Sequence, residues 1–205
     1  MRGNQIPFWP HGAADPSVQS VPHVAHNGGE QEWYTPPAII AVARQVLGTI
    51  DLDPASTPSA NAWIQATRFF TVAENGLHQR WQGKVWLNPP YTAGVVDQFL
   101  RKLGYHLDTG DVPEALVLVN NATETQWFVT LASRASAVCF LVGRVHYLSP
   151  RGERSSPLQG QALLYCGPHP ECFSWHCRSL GHVWLALPGG RPCRQPSLML
   201  KETPP

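Results

Sequence analysis

Charge is scarce in this chain. Only 14% of its 205 residues are Asp, Glu, Lys or Arg, and the formal net charge is +1. That excludes a protein held to nucleic acid by overall charge alone, so any such partner must be met by a local patch. Cysteine is sparse too: five residues, an odd number without regular spacing, which excludes a disulfide framework and fits a reduced cytoplasm. No stretch approaches ~18 apolar residues and no N-terminal apolar run suits a signal peptide, so neither membrane insertion nor export is expected. What remains is 43% hydrophobic. At this length that is enough for one domain in which helices cover a sheet.

The chain is organised around Lys84-Val85-Trp86-Leu87-Asn88-Pro89-Pro90-Tyr91. It reads as a short apolar strand running into Asn-Pro-Pro-Tyr. Neither proline has an N–H to donate to a ladder, so the strand stops at Asn88 and leaves carbonyls without neighbouring donors on a backbone of fixed φ. In an open α/β sheet, ligands bind at the carboxyl ends of strands. A rigid carbonyl, an amide and an aromatic ring there suit a flat group bearing an amine.

This stretch resembles the catalytic motif of S-adenosylmethionine-dependent amino-methyltransferases. Together with Trp33-Tyr34-Thr35-Pro36-Pro37, Asp51-Leu52-Asp53-Pro54-Ala55-Ser56, Glu74-Asn75-Gly76-Leu77 and the run from Ser156 to Tyr165, it is similar to the small phage-type DNA adenine methyltransferases of the Dam-like family. The resemblance covers roughly residues 32–187. It implies a single Rossmann-like α/β domain over 31–187, with a mostly parallel sheet, helices on both faces and an antiparallel C-terminal edge. It implies a cytoplasmic enzyme of a bacterial or phage-infected cell that methylates the N6 amine of adenine at specific DNA sites. The motif itself equally suits the N4 amine of cytosine or a glutamine amide of a protein.

Taken in order, residues 1–30 read as a disordered tail. Thr35 reads as the N-cap of a helix with Pro36 at its first position, running to about Leu47 and ending at Gly48. The resemblance places Trp33, Thr35 and Pro36 against the methionine part of S-adenosylmethionine. Residues 49–52 read as a strand ending in Asp53-Pro54-Ala55-Ser56. There the resemblance implies that Asp53 accepts from the cofactor's ammonium while Pro54, Ala55 and Ser56 keep the backbone close. The broader methyltransferase pattern has a glycine-rich loop at this point, and none follows here. A short helix over 61–67 and a strand over 68–71 come next. Glu74 is assigned to the adenosine portion and Leu77 to the adenine face.

Apolar spacing predicts a helix over 95–105. The run 115–119 is a buried parallel strand ended by Asn120-Asn121, followed by a helix capped by Thr123. Residues 137–142 form a strand that 145–148 extend past Gly143, and 161–166 and 182–187 are the last strands. The Pro/Gly-rich 188–205 is a frayed tail.

The catalytic assignment is Asn88, Pro89, Pro90 and Tyr91, with Asn88 also bordering the cofactor. For DNA contact the candidates are His146, Tyr147, Arg151 and Arg154, with Arg134 and Arg144 as further basic residues. One constellation competes. Cys166, His169, Cys172, His176, Cys177 and His182 have spacings that a zinc site uses, and would make the chain a catalytically silent DNA- or protein-binding module stapled by metal. The family resemblance gives no reason for a metal, and the assignment is none.

Overall fold

The computed structural model describes residues 33–92, 94–149, 151–155 and 159–186; both expected tails lie outside them. In chain order the elements are α1 (Pro37–Leu47), β1 (Leu52–Asp53), α2 (Pro58–Ile64), β2 (Arg68–Phe69), β3 (Val85–Leu87), α3 (Val95–Asp108), β4 (Ala115–Asn120), α4 (Gln126–Ala132), β5 (Ala137–Leu141), β6 (Gln161–Cys166), α5 (Pro170–Cys177) and β7 (Gly181–Leu185).

The seven strands form one sheet in the order β2-β1-β3-β4-β6-β5-β7. The first four are parallel to one another. The remaining three pairings, β4–β6, β6–β5 and β5–β7, are antiparallel. The antiparallel C-terminal edge is as expected, but it takes up half of the pairings, so the sheet is less parallel than expected. The cause is that β6 inserts between β4 and β5, over the full Ala115↔Cys166 to Asn120↔Gln161 register.

Strand periodicity divides the core in two. Trp86, Leu116, Leu118, Leu163 and Tyr165 face one layer with α1, α2 and α5. Their neighbours Val85, Leu87, Val117, Val119, Leu164 and Cys166 face the other with α3 and α4. Because both faces are covered, β4 reads as an unbroken apolar run, as a central strand should. Lys84 holds the amino-terminal end of this layer. It donates to Leu47 O at 2.8 Å and lies 3.4 Å from the buried Glu114, which accepts from Tyr165.

Several local readings shift. The N-cap of α1 is Pro36, with Pro37 opening the helix and no side-chain cap, so Thr35 is released from capping. The strand expected over 49–52 is Leu52–Asp53, which puts Asp53 in the ladder, paired with Phe69. The helix expected over 61–67 starts earlier, because Thr57 caps it by accepting from Ala60 N. It stops at Ile64 because Asn61 grips both backbone groups of Ala66, accepting from its N at 2.8 Å and donating to its O at 3.2 Å. Thr125 caps α4, accepting from Phe128 N, rather than Thr123. Residues 145–148 do not extend β5. After Gly143, at φ +77°, the chain turns away and Leu148 bridges Tyr34 instead. Helix α5 has no counterpart among the expected elements.

Candidate active site

Three parallel strands bring polar residues to one edge of the sheet: Asp53 ends β1, Asn88 follows β3 and Asn120 ends β4. That is the carboxyl edge, where a crevice for a ligand is expected. Pro89 is buried and Pro90 exposed beyond Asn88, and Tyr91 is half-buried.

Asn88 makes one side-chain hydrogen bond. Its Nδ2 donates to the hydroxyl of Thr35 at 3.3 Å. Its Oδ1 is buried with no partner. A buried amide oxygen left unbonded costs about 1–3 kcal/mol, so an orphan of this kind marks a place where a donor is awaited. The Tyr91 hydroxyl accepts from Asn120 N at 2.8 Å. Asn120 Oδ1 accepts from Gln161 Nε2 at 3.1 Å, and Gln161 Oε1 accepts from Val145 N at 3.0 Å. Burial pushes the Tyr91 phenol well above its ordinary range, reinforced by the neighbouring Tyr147. Both phenols stay neutral.

The Asp53 carboxyl is 2% exposed and accepts from Ala55 N at 3.1 Å. Burial pushes its pKa up to about 6, against the opposing pull of the Ala55 N–H and the nearby Ser56 hydroxyl. No cationic side chain contributes to that shift. A buried carboxyl in this state gains most from an incoming ammonium group. The Trp33 indole N–H is also buried without a hydrogen-bond partner.

The Glu74–Leu77 turn leans on this loop. Gly76 sits so close to Pro54 that a Cβ there would fall 2.0 Å from the Pro54 carbonyl oxygen. Trp81 Nε1 donates to Gly76 O at 2.8 Å, and Lys102 Nζ donates to Leu77 O at 2.9 Å. Glu74 is exposed, and its Oε2 accepts from Thr71 N and Thr71 Oγ1, which holds its carboxyl below the ordinary range. Of these supports, Trp81 and Lys102 carry no signal in the sequence. Asn75-Gly76 is legible there as a turn, but not as one that must touch Pro54.

Residues 145–149 and 151–155 border the site through Tyr147, which neighbours Tyr91. Tyr34 and Leu148 exchange both backbone bonds, at 2.7 and 2.9 Å. The Ser149 hydroxyl accepts from Arg151 N and Glu153 N, and Gly152 takes φ +80°, making a tight tip on which Arg151 and Arg154 are exposed. His146 is exposed, and its Nδ1 donates to Ser155 O at 2.9 Å. Tyr147 turns inward, its hydroxyl buried without a partner. Beside the tip lies a cavity of about 370 Å³ whose lining includes Pro36, Arg144, His146 and Arg154. Arg134 is elsewhere, paired with Asp108 between α3 and α4.

The Cys/His cluster is not brought together. Cys166 faces the α3/α4 layer and Cys177 the α1/α5 layer, with the sheet between them. Burial pushes the Cys166 thiol up to about 12 and the Cys177 thiol higher still. Among the described residues no three His, Cys, Asp or Glu are placed to share a metal ion.

The profile of the DNA N-6-adenine-methyltransferase (Dam) family matches residues 24–186. The chain belongs to the Dam family. No curated protein matches it. Family membership makes it a DNA N6-adenine methyltransferase with DNA as its substrate. Nothing in the structure favours the cytosine, glutamine-amide or binding-module readings. No helix among the described residues is long and apolar enough to cross a membrane.

Proposed function

We propose that this Dam-family protein is a Rossmann-like, S-adenosylmethionine-dependent enzyme of the cytoplasm that acts at specific DNA sites, with the carboxyl edge of β1, β3 and β4 as its active site. The observation that carries this is the orphaned Asn88 Oδ1, buried at the end of β3 beside a rigid Pro-Pro backbone. The lone pair of adenine's exocyclic amine is delocalised into the ring, so the amine is a poor nucleophile. Asn88 Oδ1 and the Pro89 carbonyl each accept one N–H from it. Two acceptors favour a pyramidal nitrogen with its lone pair directed outward, which is orientation and electrostatic preorganisation together. An amide does not take up a proton in this range, so Asn88 is no general base and the proton leaves to water. Tyr91, its hydroxyl held by Asn120, offers its ring to the base.

The residues around Asp53 fit the proposed cofactor. Asp53 receives an ammonium, and Trp33, Thr35, Pro36, Pro54, Ala55 and Ser56 line its methionine side, with the unbonded Trp33 N–H available to it. Glu74 and Leu77 border the adenosine. Bound there, S-adenosylmethionine supplies an electrophilic methyl group.

A base within a duplex cannot reach acceptors buried like Asn88 Oδ1, so it is flipped out at a cost of a few kcal/mol. Contacts from Arg151, Arg154 and His146 offset that cost at the phosphates or base edges. Tyr147 is reached only by a nucleotide already out of the stack.

The test is transfer of labelled methyl from S-adenosylmethionine to unmethylated duplex DNA, with nucleosides resolved by mass spectrometry. Label in N6-methyladenosine is expected, and sequencing the product gives the site. Label in methylcytosine would move the target. Absence of label in DNA despite cofactor binding would sink the assignment.

A further inference from the structure

We infer that Asn120 is a specificity-determining residue whose side-chain N–H donates to a ring nitrogen, N1 or N7, beside the target amine of adenine. The inference rests on the reading of Asn88 above. An amide side chain has two ends of opposite hydrogen-bonding character, and its partners fix which end goes where. At Asn120 a chain of one-way partners does so. The backbone N–H of Val145 can only donate. It holds Gln161 Oε1 at 3.0 Å, which leaves Gln161 Nε2 for Asn120. That nitrogen also can only donate, so the end of Asn120 that it meets, at 3.1 Å, is Oδ1. Reversing either amide would set N–H against N–H. Gln161 is 3% exposed, so water does not readily stand in for either partner.

What is left over is Asn120 Nδ2, which has no hydrogen-bond partner among the described residues. Its place in the sheet sets it beside Asn88. Asn120 stands opposite Gln161 in the ladder, two places beyond Leu118 and two before Leu163, so both amides fall on the α1 face. Asn88 stands two places beyond Trp86 of that face and reaches Thr35, just ahead of α1. Strands β3 and β4 are neighbours, ~4.8 Å apart. The Asn120 backbone N–H also donates to the Tyr91 hydroxyl at 2.8 Å, next to the ring offered to the base. This corner of the crevice therefore carries an acceptor without a donor, Asn88 Oδ1, and a donor without an acceptor, Asn120 Nδ2. An adenine edge supplies the complement, an amine N–H beside a ring-nitrogen lone pair.

The experiment pairs protein variants with base analogues. Full-length protein is assayed for kcat/KM on duplexes carrying adenine, 1-deazaadenine or 7-deazaadenine at the methylated position, each analogue replacing one ring nitrogen with C–H. Asn120→Asp keeps the shape and the bond from Gln161 but loses the N–H. Asn120→Ala loses the side chain and keeps the backbone bond to Tyr91. For one of the two analogues, the penalty relative to adenine should be larger in the wild type than in either variant by about fivefold or more, the worth of one hydrogen bond. Which analogue responds tells whether N1 or N7 is met. A residue that only supports the fold would slow all three substrates together and leave those penalties unchanged. A difference below about fivefold on both analogues would overturn the inference. Near-normal turnover in Asn88→Ala would instead overturn the reading of Asn88 itself, which keeps the two failures distinguishable.

Discussion

Asn88 touches little, and its role predicts a clean separation of activity from stability. Its one side-chain bond is the 3.3 Å contact to Thr35, and its oxygen is unused in the free protein. Asn88→Ala should cost roughly 10²–10³ in kcat, the usual penalty for losing one preorganised group, while Tm hardly moves. Asp53 predicts a pH dependence. Its carboxyl is raised from 3.8 to about 6, so the folded protein holds this proton more tightly than the unfolded chain does. Stability from this group is therefore complete below about pH 4 and lost as pH rises through 6, about 3 kcal/mol in all. An ammonium beside the carboxylate reverses the balance. The gain in Tm from S-adenosylmethionine should grow from pH 5 to 7.5, and Asp53→Asn should flatten both the pH profile and that gain in thermal scans. These two residues stand out in the sequence because their types fall at strand ends, where a sheet of this kind meets its ligands. The contact between Asn88 and Thr35 does not, because the two lie 53 positions apart and no local pattern records it.

Gly76 links the two turns that flank the proposed cofactor site. A methyl group there would drive into the Pro54 carbonyl, so Gly76→Ala must push the Glu74–Leu77 turn off the Asp53 loop. A loss of about 1–3 kcal/mol by denaturant unfolding is expected, together with weaker S-adenosylmethionine binding by calorimetry. At this scale the sequence was readable wherever burial is two-sided or periodic: β3, β4, β6 and α3 fall where apolar runs and helical spacing put them. It misled where a side chain, not a propensity, sets a boundary, as Asn61 does by gripping Ala66. Residues 145–148 are apolar enough for a strand, but their partner is Tyr34, more than a hundred positions earlier. Helix α5 was hidden by its own composition. Its cysteines and histidines draw attention as metal ligands, whereas Phe173 and Cys177 are simply its buried face.

A near-neutral molecule that binds a polyanion must do so through a few exposed cations. With net charge +1, the long-range field is weak, and Arg151 and Arg154 stand out on the tip beside the site. Removing both with Arg151→Ala and Arg154→Ala should weaken DNA binding and reduce the salt slope of log K by about 2, at roughly 0.9 per phosphate contact, measured by fluorescence anisotropy from 50 to 200 mM salt. An unchanged slope would place the phosphate contacts elsewhere. The strand order carries a further consequence, for how the protein is made. Strand β4 is the hub of the sheet, yet its second neighbour is β6, and the chain between them includes all of α4 and β5. During synthesis at ~5–20 residues per second, the amino-terminal half emerges seconds before the strand that closes it. Through that interval an apolar strand stands at an open edge, with its backbone donors and acceptors unpaired. Ribosome-bound chains halted just short of Gln161 should therefore recruit holdase chaperones, and release from them should coincide with emergence of Cys166.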